Sequence, residues 1–201
     1  MLKVGLTGGL ACGKSFVGEA LAGWGCFLIE ADELGHEVLR PGGEAYEPVI
    51  REFDSDVVDA GGQIDRRRLA AKVFGNSEAL TRLNALVHPP VVRREEQLIA
   101  GFAAREPKGI AVVVGAILIE TGSYKRFDRL ILVTCLEQQQ LDRAMRRDGS
   151  TEAEVRARLS QQMPLDQKRQ FADYVIDTSG PKQDTLRQTR AVYEELRRIE
   201  I

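Results

Sequence analysis

Gly8-Gly9-Leu10-Ala11-Cys12-Gly13-Lys14-Ser15 decides how this chain is read. The stretch fits the phosphate-binding pattern G-x-x-x-x-G-K-S in full. Before it, the apolar run Leu2-Lys3-Val4-Gly5-Leu6-Thr7 reads as a short buried strand; after it, Phe16, Val17, Ala20 and Leu21 recur like one face of a helix from Lys14 to about Trp24. Strand, glycine-rich turn and helix follow in the order the motif needs. The spacing has a physical reason. Triphosphate oxygens must meet converging backbone N–H groups, so Gly8, Gly9 and Gly13 let the main chain curl without Cβ clashes. The helix start adds unpaired donors and a partial positive charge, Lys14 reaches the β- and γ-phosphates, and the Ser15 hydroxyl is placed to hold Mg²⁺. The stretch implies a protein that handles a nucleoside triphosphate.

At 201 residues the chain suits one well-buried core with room for an insertion or a lid. A formal charge of −2 argues against bulk attraction to nucleic acid or to an anionic membrane, so small-molecule partners are expected, with no obligate protein partner. No charged leader precedes an apolar targeting segment, and no apolar run approaches the ~20 residues that cross a bilayer, which leads to the expectation of a cytoplasmic protein. Cys12, Cys26 and Cys135 are odd in number, without C-x-x-C spacing or a nearby histidine cluster, so neither a disulfide framework nor a zinc site is expected. Cys12 within the glycine-rich turn reads as a small residue tolerated there, or as an oxidisable one.

Short β-branched runs alternate with longer amphipathic stretches, which predicts an α/β fold with a largely parallel sheet. The candidate strands are Leu2–Thr7, Cys26–Ala31, Ile110–Val114, Leu130–Cys135 and Tyr174–Asp177. Most are nearly continuous apolar runs, as expected where helices cover both faces. The long segment between the second and third strands looks helical, broken at Pro41-Gly42-Gly43, Gly61-Gly62 and Pro89-Pro90, and exceeds a single crossover helix. It predicts a helical subdomain at the carboxyl edge of the sheet. Past Cys135 a helix runs through Asp148 to a Gly149 stop, and a capping box at Thr151 and Glu154 opens a second helix toward Met163, ended by Pro164. This arginine-rich hairpin resembles a cationic lid, and Asp184–Arg198 closes the fold as an amphipathic helix.

The second strand ends Glu30-Ala31-Asp32, and strand alternation would put both carboxylates on one side at its carboxyl end. Asp32 is the favoured candidate base for an attacking hydroxyl, or a Mg²⁺ ligand beside Ser15; the plainer alternative is a cap on the helix starting near Glu33. Arg143 and Arg147 stand one helical turn apart, able to point into a cleft together or to lie on a solvated surface with Asp142 and Asp148. His88 precedes Pro89, which predicts that a helix over Leu80–Val87 stops there and leaves the imidazole at a turn, as a phosphate contact or a structural cap. Asp65-Arg66-Arg67-Arg68 reads as a capped helix start whose arginines could face an anionic substrate.

Taken together, the chain resembles the dephospho-coenzyme A kinase family over nearly its whole length. The resemblance rests on Val4 to Gly9 with Gly13-Lys14-Ser15, on Ala31-Asp32 with Pro41-Gly42, on Ile64-Asp65-Arg66 with Leu69 and Val73-Phe74, and on His88-Pro89. It rests further on Arg143 with Arg147-Asp148-Gly149, on Gln162-Met163-Pro164-Leu165 with Lys168-Arg169, and on Ala172-Asp173 with Val175-Ile176-Asp177. It implies a P-loop NTPase-type three-layer α/β fold, with a five-stranded, mostly parallel nucleotide-binding core (1–32, 107–136 and 164–201), a helical acceptor region (33–106) and a lid (137–163). It implies ATP and dephospho-CoA as substrates, Mg²⁺ as cofactor, and transfer of the γ-phosphate to a ribose 3′-hydroxyl. Asp32 then acts as base with Lys14 as its catalytic companion. Gly8, Gly9, Ala11, Cys12, Gly13, Lys14, Ser15, Phe16, Arg143 and Arg147 engage ATP, and Arg66, His88 and Glu120 join Asp32 on the acceptor side. Two departures stand out: Glu30 where the family usually has Asp, and Ala116-Ile117-Leu118-Ile119-Glu120 where it usually reads Pro-Leu-Leu-x-Glu. The second removes a fixed φ from a loop expected near the acceptor.

Two other readings remain on the sequence. A kinase of the same architecture could act on another nucleoside or nucleotide. A nucleotide-dependent regulatory module would call for a guanine-reading N-K-x-D strand end, and Thr134-Cys135-Leu136 offers none.

Overall fold

The computed structural model of the chain describes residues 1–73 and 75–199; Phe74, quoted above, and Glu200 and Ile201 lie outside them. Five strands, β1 (Leu2–Gly8), β2 (Phe27–Glu30), β3 (Ile110–Val114), β4 (Arg129–Thr134) and β5 (Tyr174–Asp177), form one sheet in the order β2-β3-β1-β4-β5. β1 pairs in parallel with both β3 and β4, and β4 pairs in parallel with β5. The helices are α1 (Lys14–Gly23), α2 (Ala31–Val38), α3 (Tyr46–Phe53), α4 (Arg66–Val73), α5 (Ser77–Arg105), α6 (Glu137–Asp148), α7 (Glu152–Leu159), α8 (Leu165–Lys168) and α9 (Lys182–Arg197). The expected strands are therefore all present, within one or two residues of their expected ends.

The chain divides into two compact units, Met1–Ile29 with Gly101–Ile201, and Glu30–Ala100. In the first, every residue of β3 is buried, because a strand flanked by helices must be apolar on both faces. Leu2, Val4 and Leu6 of β1 pack with Val17 and Leu21 of α1, Ile131 and Val133 of β4, and Val192 and Leu196 of α9. The second unit carries α2, α3, α4 and most of α5, with one isolated antiparallel bridge between Val58 and Ile64. Val49, Phe53, Val57 and Leu69 are buried there. No helix among the described residues is long and apolar enough to cross a membrane.

Three local expectations are corrected. α5 does not stop at His88 but runs from Ser77 through Pro89 and Pro90 to Arg105. Proline disfavours helix at the residue before it, yet its own φ is helical, and burial of Pro90, Val91, Glu95 and Ile99 along α5 offsets the missing N–H bonds. β2 ends at Glu30 and α2 begins at Ala31, so strand alternation does not extend to Asp32. α7 opens on the expected capping box at Thr151 and Glu154 but ends at Leu159, short of Met163. Gln161 N–H then bonds the Arg158 carbonyl and Gln162 N–H the Leu159 carbonyl, which closes the helix in a turn.

A buried ion pair ties two stretches of the first unit together. Lys168, at the end of α8, is fully buried; its ammonium lies 2.8 Å from Glu120 Oε1 and donates to the Ala116 carbonyl at 3.0 Å. Glu120 Oε1 also accepts from Met163 N–H at 3.1 Å, while its Oε2 is buried with no hydrogen-bond partner among the described residues. The 116–120 loop is thereby held through its first carbonyl and its last side chain. Removing one member of a buried pair strands the other charge. Lys168→Ala should therefore lower stability by about 3–5 kcal/mol, read as an earlier urea midpoint by circular dichroism. Lys168→Met combined with Glu120→Leu should recover much of that loss, since the pair is then replaced by apolar bulk.

Candidate active site

The loop between β1 and α1 is built by its glycines and held by side chains from distant parts of the chain. Gly8 sits opposite Val133, where a Cβ would stand 2.3 Å from the Val133 carbonyl oxygen, so only glycine lets β1 run this close to β4 at its end. Gly13 caps α1 with φ +86°, a left-handed conformation natural to glycine. Ala11 also takes a positive φ, of 55°, which for a residue with a Cβ is a strained choice held by its surroundings.

Those surroundings were only partly visible in the sequence. Gln162 Oε1 accepts from Leu10 N–H at 3.0 Å, and Gln140 Nε2 donates to the Leu10 carbonyl at 3.0 Å. Thr178, just past β5, donates its hydroxyl to the Cys12 carbonyl at 2.8 Å. Arg143 in turn donates to Thr178 Oγ1 at 3.1 Å and to its carbonyl at 2.8 Å. Gln162 belongs to the Gln162-Met163-Pro164-Leu165 stretch that carries the resemblance, whereas no local pattern singles out Thr178 or Gln140.

Lys14 Nζ donates to the carbonyls of Gly9, at 2.9 Å, and Gly8, at 3.2 Å. The ammonium is thus folded back over the loop's own glycines. Ser15 is exposed in the first turn of α1, with Phe16 beside it half-buried. The two hairpin arginines do not converge in this structure. Arg143 is half-buried against Thr178, whereas Arg147 is exposed and pairs with Asp148 through two bonds of 2.8 and 3.2 Å.

Within the second unit, Asp32 is exposed in the first turn of α2; the N-cap residue Glu30 makes no side-chain cap bond. Asp65 Oδ1 accepts from the N–H groups of Arg67 and Arg68, so it caps α4, and Arg66 is exposed at the first helical position. His88 is half-buried inside α5, and burial lowers its pKa below the ordinary histidine value, so it stands uncharged at neutral pH. As a contact for an anion it would act as a hydrogen-bonding group rather than a cation. Among the described residues no cluster of three or more His, Cys, Asp or Glu side chains could hold a metal ion. Within the first unit, the loop offers the exposed hydroxyl of Ser15 as an oxygen donor. One protein oxygen fits Mg²⁺, which keeps waters and phosphate oxygens as most of its ligands.

The family model described as dephospho-CoA kinase matches residues 2–184. A dephospho-CoA kinase of Geobacillus kaustophilus is 39% identical over 196 residues, covering 96% of this chain and 96% of that one. A solved protein of Thermus thermophilus superposes with a TM-score of 0.82 at 32% identity, covering 97% of each chain. The solved dephospho-CoA kinase from Campylobacter jejuni does so with a TM-score of 0.69 at 26% identity, covering 96% of each. With a phosphate loop set on a parallel sheet and a match that spans the chain from β1 into α9, this protein belongs to the dephospho-CoA kinase family.

Proposed function

We infer that this chain transfers the γ-phosphoryl group of ATP to the ribose 3′-hydroxyl of dephospho-CoA, giving CoA and ADP. The observation that carries the reading is the family match over residues 2–184, joined to a loop whose curl, helix start and lysine are those a triphosphate requires. Transfer breaks the bond from the γ-phosphorus to its bridging oxygen and makes one to the acceptor oxygen, whose proton needs a base. Asp32 is assigned that role: it is an exposed carboxylate in the first turn of the helix that follows β2.

On the donor side, the N–H groups of the Gly8–Phe16 loop and the start of α1 are assigned to the phosphates. Lys14, which now spends its donors on two loop carbonyls, is assigned to the charge that builds on the moving group. Ser15 is the hydroxyl offered to Mg²⁺, which when bound neutralises charge on the phosphate oxygens. The α6–α7 hairpin is read as the lid. Arg147 would reach the nucleotide by leaving Asp148, whose carboxylate Arg158 also holds. Arg143 supports the loop through Thr178 in the present arrangement.

A panel of dephospho-CoA, AMP, adenosine and no acceptor, followed by ADP release, tests the reading. Turnover should rise strongly with dephospho-CoA alone; turnover only with a nucleoside or nucleotide would transfer the assignment to a sister kinase. Asp32→Asn should keep ATP affinity and lose kcat by about 10²–10⁴-fold. Equal kcat in that variant would remove Asp32 from the base role. Lys14→Ala should weaken ATP binding, measured calorimetrically with magnesium, and reduce kcat together, because its ammonium meets phosphate in both ground and transition states.

A further inference from the structure

Cys12 lies in the phosphate loop and Cys135 follows β4, 123 residues away in sequence, yet their sulfurs stand 3.2 Å apart, with the Cys135 thiol donating to Cys12 Sγ. Both are free thiols and both are buried. Gln140 Nε2 donates to the same Cys12 sulfur at 3.1 Å. Two thiols aimed at one another across a contact this short need only about a 1 Å approach to reach the ~2.05 Å of a disulfide bond. We propose that Cys12 and Cys135 form a reversible dithiol–disulfide couple, oxidised by hydroperoxides, that disables the phosphate loop in its oxidised state.

The surroundings favour Cys12 as the attacking sulfur. The hydrogen bond from Cys135 and the nearby Lys14 ammonium lower its pKa, while the same contact and burial raise that of Cys135, which keeps its proton. Cys26, by contrast, is pushed up to about 12 by burial alone and serves as an internal control. Access comes from the glycine-rich side. Gly9, Cys135 and Gln140 border an open cavity of about 680 Å³. Cys12 itself is fully buried, and the Gln140 amide fills the space beside Gly9 that separates its sulfur from that cavity, so a peroxide reaches Cys12 when this amide swings aside.

In the first step the Cys12 thiolate attacks a peroxide oxygen. The S–O bond forms, the O–O bond breaks, sulfur is oxidised to the sulfenic acid, and the departing hydroxide or alkoxide takes up a proton. In the second, Cys135 sulfur attacks Cys12 sulfur; the S–S bond forms, the S–O bond breaks, and hydroxide leaves as water with the Cys135 proton. Closure has to move the loop rather than the strand end. β4 is held between β1 and β5 by parallel pairing on both sides, while the loop hangs on a few side-chain bonds. A shift of about 1 Å in a phosphate cradle is enough to cost up to ~10²-fold in rate.

The sulfur chemistry stands apart from the acceptor's identity; only its consequence for turnover rests on the kinase reading. The test uses the full chain, fully reduced, treated with a small excess of hydrogen peroxide and then desalted. Non-reducing peptide mapping should find Cys12 joined to Cys135, the chain two hydrogens lighter, and Cys26 still open to alkylation after unfolding. Phosphate transfer to dephospho-CoA should fall at least about tenfold and return with dithiothreitol. In Cys135→Ser, the cross-link should vanish, and Cys12 sulfenic acid should become trappable by dimedone. Peroxide that consumes thiols without joining Cys12 to Cys135 would overturn the proposal. So would a cross-linked chain that turns over like the reduced one. Should the reduced chain transfer phosphate to no acceptor, the kinase reading fails separately; calorimetric ATP binding by reduced and cross-linked chain then decides the sulfur proposal, equal affinity sinking it.

Discussion

The close approach of β1 to β4 at Gly8 is the constraint on which the rest of the first unit depends. With a Cβ there, the side chain would collide with the Val133 carbonyl, and the main chain could not leave the sheet where it does. β1 pairs with β3 over Leu2–Leu6 and with β4 from Val4 through Gly8, so the loop that follows starts from a point fixed against β4. The loop's own curl then runs through a strained Ala11 and a left-handed Gly13 into α1. Strain of that kind persists only where the surroundings hold it. Here the holding is done from outside the motif, by Gln140, Gln162 and Thr178.

This arrangement links the loop to elements that would otherwise be independent of it. Gln140 belongs to α6 and Gln162 to the turn after α7, so the hairpin read as a lid is hydrogen-bonded at its base to the segment read as the phosphate cradle. Thr178 brings in the end of β5, and Arg143 binds Thr178 from α6. A cationic side chain that could serve a ligand directly is thus occupied as a brace in this state. The Lys168–Glu120 pair does comparable work elsewhere, joining α8 to the loop after β3. Both cases put polar groups into protected positions where an unmet partner is costly, which makes the geometry specific rather than merely stable.

The cysteine pair belongs to the same network. Cys12 is held through its carbonyl by Thr178 and through its sulfur by Gln140 and Cys135, so one small residue receives support from three separate segments. A serine in its place would keep the curl but not the sulfur chemistry. That difference gives the residue a meaning that a tight turn alone would not.

Much of the fold was legible because its signals are local. Continuous β-branched runs gave the strands, the glycine and lysine spacing gave the loop, and the Thr151 capping box with the Gly149 stop gave the hairpin's turn. The failures were places where packing overrides a local preference: two prolines carried through α5, and a helix that starts one residue after β2 and so takes Asp32 off the strand. The sequence alone determined the five strands, the glycine-rich curl and the family likeness, since each is written in local residue patterns; the strand order came from the tertiary structure. Only the tertiary structure decided which side chains hold that curl and that Cys12 faces Cys135. Those contacts join residues 123 to 166 positions apart, and no spacing along a chain encodes which distant segments packing will bring together.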